Sequence, residues 1–284
     1  MPELPEVETI AGQLRSGRDV QLDGAVMRIP ALIGRTVLET RVLWAREISG
    51  MSPRTFEKRM RGARVSGISR HGKYLIIELV AEGRRAYLLV HLRMSGRLEV
   101  VAQAEAASKH ARVVWLLDDG WALRFDDARK FGRVWLVDDV ARVIGKTGPD
   151  ALLISADDFS ARLTAKRRAL KPLLLDQSFI AGVGNIYADE SLYLARLHPK
   201  RLSHTLSDGD VRRLHEAIRQ VLLAGVAANG ASFDWVYPGG NYQHNFLVYG
   251  QTGKPCANCG RPIIRILVGQ RSTHLCEHCQ LISP

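Results

Sequence analysis

Apolar positions near the start of the chain recur at helical spacing. Val7, Ile10, Ala11 and Leu14 share one face of "PEVETIAGQLRSG", with Pro5 suited to a first turn and Gly17 to a stop. From about 25 to 140 the period changes. "RVSGISRHGKYLIIELV", "RRAYLLVHLRMSGRLEVV", "RVVWLLDDGWALRFDD" and "GRVWLVDDV" are short runs rich in β-branched and aromatic residues, broken by Gly and Asp. They predict strands joined by hairpins in a mostly antiparallel sandwich or barrel. Residues 145–163 read as a linker running into a helix, and helical spacing dominates after it. The clearest helix opens on Ser207 and Asp210, a capping-box-like pair. Its apolar stripe is Val211, Leu214, Ile218, Val221 and Leu222, and Gly230 can end it. Residues 234–255, rich in Gly, Asn, Tyr and Pro, read as loop.

Composition adds a partner to this pattern. With 284 residues, 46% hydrophobic and 24% charged, the chain is globular in character and long enough for two or three domains. No apolar run reaches the 18 residues of a membrane span. Glu3, Glu6 and Glu8 stand where a secretory signal would be basic and then apolar, so a cytoplasmic location is expected. The net charge of +11 favours a polyanion, nucleic acid ahead of acidic membrane. A soluble protein that is merely basic is the plainer alternative at this point.

All four cysteines lie in the last 29 residues, as Cys256-x2-Cys259 and Cys276-x2-Cys279 with sixteen residues between the pairs. The spacer predicts two short strands around Gly269. Such a hairpin brings four thiolates together, which favours one structural Zn2+ over redox thiols or disulfides. His274 and His278 are expected on the surface, outside the ligand set. Arg271, beside the hairpin turn, reads as a phosphate-binding or merely solvated arginine. Within "KRRALKPLLLDQSFIAGVGNIYADE", the Gly-Val-Gly-Asn turn could expose N–H groups to a phosphate or simply join two helices, with Asn185 as an N-cap. Lys166, Arg167, Arg168 and Lys171 fit a solvated face that runs into that turn.

The opening "MPELPEVETI" carries a chemical possibility of its own. An α-amine titrates near 8, against about 10.4 for lysine, so it is more often free at neutral pH. Once Met1 is removed, Pro2 would offer a secondary amine able to add to an aldehyde carbon. Glu3 would be tethered beside it for proton transfer. Taken alone, the stretch fits an ordinary Met-Pro start equally well.

"PELPEVET", "HGKYLIIEL", "HLRMSGRL", "DDARKFGR", "AGVGNIYADE" and "GQRSTHLC" together, in this order, resemble the formamidopyrimidine-DNA glycosylase / endonuclease VIII family over nearly the whole chain. The resemblance implies a multidomain α+β fold. Its parts would be an N-terminal β-sandwich with a leading helix (1–144), a helix–two-turn–helix domain (145–245) and a zinc hairpin (246–284). It implies a bifunctional base-excision enzyme acting on damaged double-stranded DNA as a monomer, in a bacterial cytoplasm near the nucleoid. Pro2 would be the nucleophile and Glu3 the acid/base. Lys73 would be a second proton-transfer group, and Arg271 the phosphate grip that assists δ-elimination. His110, Arg129, Lys166 and Asn185 match DNA contacts. Met94, Arg129 and Phe131 match the wedge that fills the stack after a base is extruded. Core packing is the other reading of Met94 and Phe131. Three departures stand out: Arg93 where some members have glycine, an apparent insertion over 17–30, and a shortened loop over 234–250. "PELPE" leans to the oxidised-purine branch, with an oxidised-pyrimidine preference or a non-catalytic zinc-containing DNA-binding protein as alternatives.

Overall fold

The structure is a computed structural model that describes residues 1–22, 25–106, 108–232 and 239–282. The chain forms two compact units. The first holds residues 1–2 and 6–146, and the second holds 3–5, 147–232 and 239 onward.

The first unit begins with α1 (Leu4–Ser16), whose Val7, Ile10, Ala11 and Leu14 enter its core. Gly17 ends the helix at φ +73, and a Cβ there would stand 2.4 Å from the carbonyl oxygen of Ile29, so only glycine passes. The 17–30 stretch is a hairpin of β1 (Arg18–Leu22) and β2 (Ala25–Ile29), its tip lying outside the described residues. Two sheets follow. In one, β3 (Val37–Val42), β9 (Ala111–Leu117), β10 (Trp121–Asp127) and β8 (Gly96–Ala102) run in the order β3-β9-β10-β8, all antiparallel. In the other, β4 (Ile48–Ser49), β11 (Arg133–Val137), β7 (Arg84–His91), β6 (Tyr74–Ala81) and β5 (Arg64–His71) run in the order β4-β11-β7-β6-β5. Only the short β4 is parallel to its neighbour.

Alternate residues of both sheets meet in one core. Leu75, Ile77 and Leu79 of β6 face the same cluster as Val113 and Trp115 of β9 and Leu123 and Phe125 of β10. A helix, α2 (Pro53–Met60), interrupts this strand-rich half, where the apolar pattern predicts strands alone. Ser52 caps it, Pro53 opens it, and Phe56 and Met60 bury one side. Phe56 meets Trp115 edge-on at 6.3 Å. The one-turn α3 (Ala141–Ile144) closes the unit.

The second unit is helical. Its members are α4 (Ala156–Thr164), α5 (Leu170–Leu174), α6 (Asn185–Leu194) and α7 (Asp208–Ala227). Ser207 and Asp210 form a complete capping box at the start of α7. Val211, Leu214, Ile218, Val221 and Leu222 pack with Leu4, Leu173, Val183 and Tyr187 in one core. β12 (Ile264–Val268) and β13 (Arg271–Leu275) make the C-terminal hairpin. No helix among the described residues is long and apolar enough to cross a membrane.

Candidate active site

In the helical unit, the glycine turn holds the start of the chain. The Leu4 amide donates to the Gly182 carbonyl at 3.1 Å, and the Glu3 carboxylate accepts the Ile186 amide at 3.0 Å. Gly182 has φ +113, and a Cβ on it would lie 2.5 Å from the Leu4 side chain. A Cβ on Gly184 would lie 2.2 Å from the Glu3 carboxyl carbon. Both glycines are therefore required by the close approach of residues 3 and 4. The open end of α6 accepts a carboxylate of this chain, where the sequence left a bound phosphate or a plain turn as the two readings. Glu3 is buried, Pro2 before it is buried, and Met1 is half exposed.

Asn185 begins α6 without capping it. Gly184 occupies the cap position, and the Asn185 amide donates to the Ser272 carbonyl at 3.1 Å. Lys171, expected on a solvated face, is fully buried. Its ammonium donates to Asp189 at 2.6 Å, to the Ser272 carbonyl at 2.7 Å and to the Thr273 hydroxyl at 2.9 Å. Burial pulls this lysine below its usual range, while Asp189 opposes the shift by holding its proton. His274 is also buried, against expectation, because its backbone amide and ring both reach Asp189. These bonds fix β13 against α6 and leave Arg271 exposed at the head of the strand. Lys166 is exposed just beyond α4.

The four cysteine sulfurs lie within 4.8 Å of one another. The Cys256–Cys279 and Cys259–Cys276 separations are 3.8 and 3.5 Å. Tetrahedral bonds of about 2.3 Å to zinc place sulfurs about 3.8 Å apart, so the donor set fits one Zn2+ with all four positions filled by protein. Its role is structural. Among the described residues, Tyr193, Val248 and Ile263 join Cys256 and Cys276 in one small buried cluster, so a bound metal would add to a modest apolar core there.

In the first unit, Lys73 sits in the β5–β6 turn and is 5% exposed. His91, at the end of β7, accepts the Arg93 amide on Nδ1 at 3.1 Å and packs its ring 4.7 Å from that of Tyr74. Burial, then the charges of Arg93 and Lys73, push its pKa down to about 3, so the ring is neutral and can accept that bond. Arg93 has φ +55, the left-handed conformation that favours glycine, which accounts for glycine as the alternative there. Met94 follows on the same turn, 39% exposed, and Phe131 is 49% exposed between β10 and β11. Neither is core. The Arg129 guanidinium lies 5.0 Å from the Phe131 ring centre, and Lys130 caps Trp44 at 3.8 Å. His110 precedes β9, and its carbonyl accepts the Asp127 amide at 2.9 Å. Met94, His110, Arg129 and Phe131 thus belong to adjoining turns. Of the shortened loop, residues 234–238 lie outside the described residues, and Tyr242–Asn245 form a single 3-10 turn.

A two-sheet unit led by a helix, and a helical unit carrying a four-cysteine hairpin, are the parts that the comparisons match. Family models extend this along the chain. The formamidopyrimidine-DNA glycosylase N-terminal domain matches residues 1–134, the H2TH domain of the same enzyme matches 147–235, and a zinc finger found in FPG and IleRS matches 253–282. The formamidopyrimidine-DNA glycosylase of Herpetosiphon aurantiacus is 42% identical, covering 99% of this chain and 100% of the relative. That of Protochlamydia amoebophila is 37% identical over 99% of both. The Lactococcus lactis Fpg in complex with N7-benzyl-Fapy-dG DNA superposes with a TM-score of 0.87 at 31% identity, over 99% of this chain and 100% of that one. The same protein with an oxidised-pyrimidine DNA gives 0.86, again at 31% identity with 99% and 100% covered. This chain belongs to the formamidopyrimidine-DNA glycosylase family.

Proposed function

We propose that the chain is a DNA-repair glycosylase that excises oxidised purines, formamidopyrimidines and 8-oxoguanine, through a Schiff base on Pro2 and then cuts the strand. With Met1 gone, the Pro2 nitrogen bonds to C1′ of the damaged nucleotide, and the base departs with the electrons of the glycosidic bond. Glu3 protonates the sugar oxygen as the ring opens to an iminium. The iminium acidifies the C2′ proton, and its loss expels the 3′ phosphate. A second elimination at the 5′ side follows with help from Arg271. Lys73 serves as a further proton-transfer and phosphate-binding group. His110, Arg129, Lys166 and Asn185 hold backbone phosphates. The Asn185 amide has two hydrogens, so its bond to Ser272 is compatible with that role. Met94, Arg129 and Phe131 fill the gap in the stack.

One observation carries the enzymatic reading over a merely DNA-binding one. Chain ends ordinarily fray. Here Glu3 is 3% exposed and bonded to Ile186, with Leu4 bonded to Gly182, so the residue next to Pro2 has a fixed seat. Binding alone needs no such seat.

Borohydride trapping tests the proposal. A covalent adduct should form on duplexes carrying 8-oxoguanine or formamidopyrimidine, and should vanish when Pro2 is replaced or Met1 is retained. A folded, zinc-loaded protein that binds damaged DNA and never traps would leave only the non-catalytic reading. The Lactococcus lactis relative was captured with both Fapy-dG and oxidised-pyrimidine DNA. Base-release rates on both lesion types therefore set the preference, and faster release of the pyrimidine would reverse the order proposed.

A further inference from the structure

Met94 and Phe131 stand on different turns, one between β7 and β8 and the other between β10 and β11. One buried carboxylate ties the two turns together. Asp127 is 0% exposed. Its Oδ1 accepts the Ser95 hydroxyl and the Arg129 amide, the latter at 3.1 Å. Its Oδ2 accepts the Phe131 amide at 2.8 Å and the Gly132 amide at 2.7 Å. Ser95 adds a second acceptor for the Arg129 amide, also at 3.1 Å. The main chain of Asp127 is itself held, since its amide donates to His110 and its carbonyl accepts Arg112 Nε at 2.7 Å. Gly132 makes the approach possible. A Cβ there would stand 2.4 Å from the Phe125 ring and 3.1 Å from Asp127 Oδ2.

Four donors from residues 95, 129, 131 and 132 therefore converge on a single charged acceptor. They flank all three side chains read as void fillers. A carboxylate can accept every one of them, whereas an asparagine of the same size would turn an NH2 toward backbone N–H groups. Hydrogen bonds to an ionised acceptor are also shorter and stronger than neutral ones.

We infer that Asp127 is the positioning residue for the void-filling groups, setting Met94, Arg129 and Phe131 as one rigid unit before DNA arrives. The inference rests on the proposed reading of those three as void fillers. A wedge held in place loses little freedom when a base leaves the stack. A loose one must be ordered at that moment, which slows extrusion and leaves the later chemistry unchanged.

The test is Asp127→Asn on two duplexes, one with 8-oxoguanine and one with a preformed abasic site that needs no extrusion. Single-turnover excision from the first should fall about 10- to 100-fold, as small misplacements of supporting groups do. Cleavage of the second should stay within about threefold of the parent. The signal of 2-aminopurine beside the lesion should slow in step with excision. A residue that merely stabilises the fold would lower both activities alike. Phe131→Ala separates the premise from the inference. If Phe131→Ala shows no difference between substrates, the void-filling reading fails and this inference with it. If Phe131→Ala shows the difference and a folded Asp127→Asn does not, the inference alone is overturned. If Asp127→Asn does not fold, Ser95→Ala decides. It removes one neutral donor to Asp127 and one of the two acceptors of the Arg129 amide, and should give at least about a threefold loss confined to the lesion duplex. No such loss would overturn the inference.

Discussion

One buried carboxylate ties the stability of the fold to solvent pH. Glu47 is 0% exposed, with no hydrogen-bond partner on either oxygen among the described residues. Burial first, and then the charge of Asp127, push Glu47 up to about 7, against the pull of Arg133 and Arg112. Its folded pKa exceeds the ordinary 4.5, so the fold holds this proton more tightly than the unfolded chain. Glu47 thus adds stability that is complete below about 4.5 and is lost as pH rises through about 7, about 3 kcal/mol in all. Glu47→Gln, neutral throughout, should match the parent near pH 5 and exceed its melting temperature by roughly 5 °C or more near pH 8.5. A constant difference across that range would refute the assignment. Gly184→Ala tests the seat of Glu3. Gly184 has φ −126, which alanine adopts freely, so its cost comes from the Cβ meeting the carboxylate. Trapping should fall about tenfold or more with zinc content and melting temperature near the parent values. The four-cysteine cluster was legible because its spacing is local. Lys171, His274 and Asp127 were not. Lys171 and His274 meet one carboxylate, Asp189, across 18 and 85 residues of chain. "DDARKFG" gives no sign of which acid the turn amides bond to.

At the scale of elements, the period of apolar residues identified α1, α7 and most strands of the two sheets. It missed α2, whose eight residues present only Phe56 and Met60 to the core. Ser52-Pro53 is a start signal there, but two apolar positions do not establish a period. The apparent insertion over 17–30 is a hairpin, and its Gly17 is explained by the approach of Ile29. The C-terminal hairpin is the element whose dependence on metal is most direct. Cys256→Ser, or chelation, should lower zinc content and weaken binding of a lesion duplex about tenfold or more by loosening the strand that presents Arg271. The two-sheet unit has its own core and should keep its melting transition. Full affinity without zinc would show that the hairpin plays no part in binding.

For the whole molecule, the net charge of +11 and the family assignment point to the same partner. If cationic side chains displace counterions from phosphate, log affinity should fall against log salt with a slope of about −4 or steeper. A slope shallower than about −1 would exclude a phosphate-gripping surface. Class of fold, the metal site and the glycosylase family were readable from six motifs in order. The lesion preference was not, since none of the six motifs distinguishes one released base from another.

The anchoring of residues 3 and 4 in the glycine turn also sets an order of events in the life of the chain. Pro2 is buried while Met1 is half exposed, so the bond between them lies at the edge of a finished structure. An aminopeptidase needs a slack chain end to draw into its own cleft. If Pro2 is the nucleophile, as proposed, maturation and folding compete, and the methionine is best removed while the protein is still emerging from the ribosome. On that proposal, molecules that fold first would be silent passengers, able to occupy damaged DNA and unable to repair it.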